Sequence, residues 1–195
     1  MQIFPVLEPA AGSARAATPA RRLVVDAPMR MFHWLFALSF VGAYLTADGE
    51  RWRAMHVTLG YTMAGLLAFR IVYGLLGPRE ARLALLWRRL TGVPAWLRSM
   101  AQSRSLMTIP WRQGQNLAMA LAVAALLAVV VPLTISGYGS ANDWSDVLGG
   151  EWLESLHEFL GETLLAIVLA HLALIAVLSV LRRRNQALPM LTGRI

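Results

Sequence analysis

Four histidines carry most of the chemistry this sequence offers: His33, His56, His157 and His171. No cysteine accompanies them, so disulfides, iron–sulfur ligation, zinc–thiolate sites and covalent c-type haem attachment all drop out. His157 and His171 stand fourteen residues apart in an almost wholly apolar run, Leu153 to Leu181. At about 100° and 1.5 Å per residue they share one face of a helix, roughly 21 Å apart along its axis. Two imidazoles on one stripe of a membrane-length helix are what a protein needs to hang two metal centres across a bilayer. Arg70 follows His56 at the same fourteen-residue interval, and Gly60 follows it by four, both on the His56 face.

Residues of this kind need a scaffold, and the composition says which. The 195 residues are 57% hydrophobic and 15% charged, which points to an all-α integral membrane protein. Residues 1–22, rich in Ala and Pro, are expected to form a flexible arm without a cleavable signal peptide. Asp26 is placed to N-cap a helix with Pro28 in its first turn. Membrane spans are expected at about 28–47, 54–76, 116–135 and 153–181, with Gly77-Pro78 ending the second and Pro132 near the end of the third. Residues 79–112 interleave seven arginines and one acid with Leu and Trp, the mixture of an amphipathic segment on a membrane surface.

All 18 basic residues are arginines, and the net charge is +7. They crowd the N-terminal arm, the 79–112 connection and Arg182-Arg183-Arg184, whereas the other two connections are balanced or acidic. Arginines spread over loops beside apolar runs report topology and exclude a nucleic-acid partner. The positive-inside rule puts both termini in the cytoplasm. Trp52, Trp144 and Trp152 then belong to the outer aromatic belt, and Trp87, Trp96 and Trp111 to the inner one. The expected fold is one four-transmembrane-helix bundle over residues 23–195.

Topology sorts the histidines by depth. His56 and His157 fall near the outer face, and His33 and His171 towards the inner one. Each pair would clamp one iron from opposite sides of a planar macrocycle, which leaves no open axial position and favours electron transfer. The depths of His33 and His171 differ by several ångströms on this count, about 1.5 Å per residue, unless the fourth helix tilts or protrudes. Zinc or copper would need more donors than two imidazoles per site. A lone histidine in a span is as well explained by a helix–helix hydrogen bond; four with no spares are not. Gly60 leaves room for a porphyrin edge or for close helix packing. Arg70 is placed for a haem propionate or for snorkelling to the inner surface. Glu158 and Glu162, at the start of the fourth span, could handle protons.

The motifs Val25-Asp26-Ala27-Pro28 through Arg30-Met31-Phe32-His33-Trp34, and His56-Val57-Thr58-Leu59-Gly60-Tyr61 with Arg70, Gly74 and Gly77-Pro78-Arg79, resemble the first two helices of the bacterial cytochrome b561 family. That family includes b-type subunits of nickel–iron hydrogenases. Gly114-Gln115-Asn116, His157-Glu158 with His171, and the closing Thr192-Gly193-Arg194 resemble its remaining parts, while residues 1–20 have no counterpart. The resemblance implies an inner-membrane protein with two b-type haems, all four histidines as axial ligands, and electron exchange between a quinone and a partner redox protein.

Which partner depends on the outer surface. Asp143, Asp146, Glu151 and Glu154 would attract the basic face of a periplasmic c-type cytochrome and repel an anion such as superoxide, whose oxidation is known within the family. The leading expectation is a membrane electron carrier between the quinone pool and such a cytochrome. A second is a cytochrome subunit anchoring a larger dehydrogenase or hydrogenase. A third is a haem-free scaffold whose histidines bond across helices. Whether the chain itself acts as a quinone oxidoreductase stays open.

Overall fold

A computed structural model describes residues 25–103, 105, 109–144 and 151–193. The arm expected over residues 1–22 lies outside them, as do Asp146 and Arg194. The described residues are all-helical. Four long helices dominate: α1 (Ala27–Leu45), α2 (Arg53–Leu76), α5 (Trp111–Ala141) and α6 (Trp152–Leu181). Between α2 and α5 lie two short ones, α3 (Leu83–Leu90) and α4 (Val93–Gln102), and α7 (Leu188–Thr192) closes the described chain.

Local chemistry accounts for the boundaries. The Asp26 carboxylate accepts the Met29 backbone N–H at 3.1 Å, with Pro28 in the first turn of α1. Gly77 ends α2: its N–H reaches the Tyr73 carbonyl at 2.9 Å, and a Cβ there would run into that same carbonyl. Pro78 follows and cannot continue the ladder.

Three helical stretches are long and apolar enough to cross a membrane: Glu50–Leu76, Trp111–Ala141 and Trp152–Leu181, with mean hydropathies of 1.5, 2.6 and 2.9. The first of these joins the turn Glu50–Trp52 to α2. α1 has 19 residues, about 28 Å of helix, and carries Arg30 and His33 near one end, which lowers its mean hydropathy. The surface is apolar where a soluble protein's would be polar: Leu45, Leu76 and Val180 are each more than three-quarters exposed. Burial runs the other way, into a bundle core of Phe40, Ala43, Met63, Leu67, Val130, Leu133, Leu160 and Leu164 drawn from all four long helices. A chain with this inside and outside is a membrane helical bundle.

α5 is longer than the expected 116–135 span, and Pro132 falls well inside it rather than near its end. The expected ends lay at the first polar residues, but here neighbouring helices satisfy those residues. Arg182 donates through Nε to Gln115 Oε1 at 2.8 Å and through Nη2 to Asn116 Oδ1 at 2.9 Å. At the other end Ser136 is buried, and Gly139 lies against Leu153 and Trp144.

The helices alternate in direction: α1 packs along α2, α2 against α5, and α5 along α6. The arginine-rich connection folds as α3 and α4, and α3 packs on both α2 and α5. α7 turns back beneath α1. Arg30 Nη1 donates to the Leu191 carbonyl at 3.0 Å, Trp34 Nε1 to the Met190 carbonyl at 3.2 Å, and Val25 N to the Gly193 carbonyl at 3.3 Å. Gly193 makes this turn in the left-handed region, at φ 75°.

α4 meets α5 where Trp96 lies flat on Gly114, so a Cβ at 114 would overlap the indole. Overpacking of this kind costs about 1–3 kcal/mol, more than the few tenths that Gly→Val gains in helix propensity. Gly114→Val should therefore lower the thermal midpoint followed by circular dichroism in detergent; an unchanged midpoint would mean that α4 docking adds nothing to stability.

Candidate functional site

His56 lies in the first turn of α2 and His157 in the second turn of α6. The structure brings their rings together, with centroids 6.0 Å apart and planes at 87°. Each ring is tied to a different neighbouring helix. His56 Nδ1 lies 2.8 Å from the Ala43 carbonyl, near the C-terminal end of α1, a carbonyl that also accepts from the capping Thr46. His157 Nδ1 lies 3.2 Å from the Leu133 carbonyl and 3.1 Å from Ser136 Oγ, both on α5. The Ser136 hydroxyl in turn donates to the Leu133 carbonyl.

A carbonyl can only accept, so in both rings Nδ1 carries the proton and donates it. Nε2 is then left with its lone pair, the form in which imidazole binds a metal.

The space around this pair is shaped by missing side chains. A Cβ at Gly137 would come within 2.7 Å of His157 Cε1, so α5 can approach the ring only because residue 137 has none. Gly60 and Gly161 follow His56 and His157 by four residues each. Both are half-buried, yet a Cβ on either would meet nothing within 4 Å. They leave open space one turn along their helices from the His56–His157 pair.

His33 on α1 and His171 on α6 lie within electrostatic reach of each other. Both are half-buried, and the Nδ1 atom of each is buried without a hydrogen-bond partner among the described residues. Orphaned polar atoms are rare in an interior. Two imidazoles within reach of each other that share that condition point to a group neither ring finds within the described protein. The four-helix core, with Leu164 fully buried, fills the bundle between the two histidine levels.

Arg70 is buried on α2. Its Nη1 donates to the Ala81 carbonyl at 3.2 Å and lies where a Gly74 Cβ would stand. Beside it, the Tyr73 hydroxyl donates to Asp26 Oδ2, which ties α2 to the cap of α1. Arg70 therefore stays within the protein, with one nitrogen engaged, and does not snorkel.

A family model described as prokaryotic cytochrome b561 matches residues 24–193, nearly the whole chain. The chain belongs to that family. No curated protein and no solved structure matches it. It is thus a bacterial membrane protein of the b-type cytochrome class, and its family implies haem b and electron transfer.

The residues present fit such a group. His56 and His157, on different helices and each with an unprotonated Nε2, have ring centroids 6.0 Å apart, a separation that would admit one metal ion held by both at bonds of about 2 Å. The open space at Gly60 and Gly161 lies one turn along from this pair, and the second pair has its own unpartnered nitrogens. Among the described residues no cluster of three or more His, Cys, Asp or Glu offers a conventional multi-donor metal site.

Sequence reasoning missed Ser136 and Gly137, which it placed in a loop, and gave Gly161 no role. One signal was available: Gly161 stands to His157 as Gly60 stands to His56. Gly137→Val should push the His157 ring aside and lower the haem bound per chain, read from the visible spectrum of purified protein. Ser136→Ala should do less, weakening haem affinity by about tenfold, as loss of an imidazole's supporting hydrogen bond does. Wild-type spectra and affinity in both variants would show that neither residue shapes the site.

Proposed function

We propose that this b561 cytochrome carries electrons across the bacterial inner membrane, between the quinone pool and a periplasmic redox partner such as a c-type cytochrome. The observation that carries the reading is the outer pair: two carbonyl-anchored imidazoles 6.0 Å apart with both Nε2 lone pairs available. In this reading α1 is the fourth membrane span and both termini are cytoplasmic, as the arginines at the α7 end of the bundle and the acids at the other end support.

His56 and His157 hold the outer haem b, and His33 and His171 the inner one. When bound, haem would supply one-electron redox chemistry there. The protein does the rest. Ala43 and Leu133 carbonyls fix the tautomer and plane of the outer imidazoles. Gly60 leaves room for the macrocycle edge, and the guanidinium nitrogens of Arg70 not bound to Ala81 are available to a propionate. The apolar core excludes water between the two levels.

Proton handling at the quinone falls to Glu162. Its carboxylate accepts the Tyr44 hydroxyl at 2.9 Å, a bond between α6 and α1 just inward of His157. A carboxylate within a membrane helix is costly unless it is used.

Pyridine haemochrome analysis of the purified protein should count two haems b per chain. His33→Ala and His171→Ala should each remove one haem, and His56→Ala and His157→Ala the other. No haem after expression in adequate haem supply would sink the reading.

The acidic residues Asp143, Glu151 and Glu154 flank the outer end of α5 and α6. Reduction or oxidation by a basic c-type cytochrome should accordingly slow as ionic strength rises from about 0.01 to about 0.15 M, over which the screening length falls from about 30 to about 8 Å. A rate independent of salt would remove electrostatic steering from the account.

A further inference from the structure

At the opposite end of the bundle from the His56–His157 pair, the ends of α5 and α6 enclose a polar cleft of about 510 Å³. Arg112, Arg182 and Arg184 line it together with Asn116, Asn185 and Gln186, and no carboxylate does so among the described residues. The three guanidinium groups are not equivalent. Arg182 is half-buried and held in place by the neutral amides of Gln115 and Asn116, so its charge is positioned without being cancelled. Arg112 and Arg184 are exposed, and neither guanidinium group has a hydrogen-bond or ion-pair partner among the described residues.

The chain bends sharply to build this cleft. Arg183 adopts φ 48°, and the Gln186 N–H is caught by Ser179 Oγ at 3.0 Å, which folds residues 184–186 over the end of α6. Three like charges converging on one cavity repel one another, and the arrangement gains most from an anion at its centre.

We propose that this cleft binds a phosphate-bearing anion, the headgroup of an anionic phospholipid. Guanidinium forks match phosphate oxygens in pairs. The depth is right for a lipid: the apolar stretches of α5 and α6 begin within about one turn of these arginines, and Trp111, half exposed, stands beside Arg112 where interfacial tryptophans sit. Basic recesses between membrane helices at the surface take such headgroups. A soluble phosphate compound would present the same chemistry from the aqueous side.

The test uses the full-length protein as purified in detergent. Phospholipid retained per chain is counted by mass spectrometry, and thermal midpoints are compared with added phosphatidylglycerol, phosphatidylcholine or inorganic phosphate. Phosphatidylglycerol should be retained and should raise the midpoint, whereas phosphatidylcholine should do neither. Each of Arg112→Gln and Arg184→Gln should weaken retention about fivefold, the effect of one arginine near a charged membrane surface, with an unaltered circular dichroism spectrum. Inorganic phosphate at millimolar concentration that displaces the lipid and stabilises equally would overturn the lipid as the source. Equal behaviour of the two lipids, with no response to phosphate, would overturn the site itself.

Discussion

The rest of the bundle depends on how an imidazole is held in a place without water. A histidine ring has two nitrogens, and in an apolar interior the protonated one must find an acceptor. Here that acceptor is a backbone carbonyl of an adjacent helix: Ala43 of α1 for His56, and Leu133 of α5 for His157. The same bond therefore does two things. It chooses which nitrogen faces the interior, and it joins α1 to α2 and α5 to α6 at a shared depth. Side-chain packing between lipid-immersed helices has little hydrophobic driving force, so polar contacts of this kind set the relative positions of the helices.

The inner pair is organised differently. Neither His33 nor His171 has a hydrogen-bond partner on Nδ1 among the described residues, while α1 is held at the His33 end by the Asp26–Tyr73 bond and by α7 docking. The contrast bears on redox behaviour. A carbonyl on Nδ1 makes an imidazole more basic and a better electron donor to a metal. In the proposed two-haem reading, the two sites would thus differ in potential through the hydrogen bonds on Nδ1. Between them, Phe40, Met63, Leu67 and Leu164 make a dry separator drawn from three helices.

Much of this was legible in the chain. Apolar runs, arginine placement and the Asp26-Ala27-Pro28 cap were enough to expect a helical membrane protein and the start of α1. Span order and arginine placement group His56 with His157 and His33 with His171, and the structure sets the His56 and His157 rings together. What escaped was contact-dependent. Polarity marks a helix end only when the polar groups are left to water, whereas Gln115 and Asn116 are bonded by Arg182 and Ser136 is buried. Gly137 matters through what lies across from it, and nothing local in Ile135-Ser136-Gly137 announces His157 as its neighbour. The depth mismatch counted for His33 and His171 also rests on inter-helix geometry, which spacing along a chain does not contain.

The docking of α7 beneath α1 has a consequence for biogenesis. The groups that receive it, Val25, Arg30 and Trp34, emerge among the first of the described residues, whereas Met190, Leu191 and Gly193 emerge last. The inner end of the bundle can therefore be latched only after translation has passed residue 193. Until then α1 lacks its partner at that end, and the side of the bundle around His33, between Arg30 and Trp34, stays uncovered.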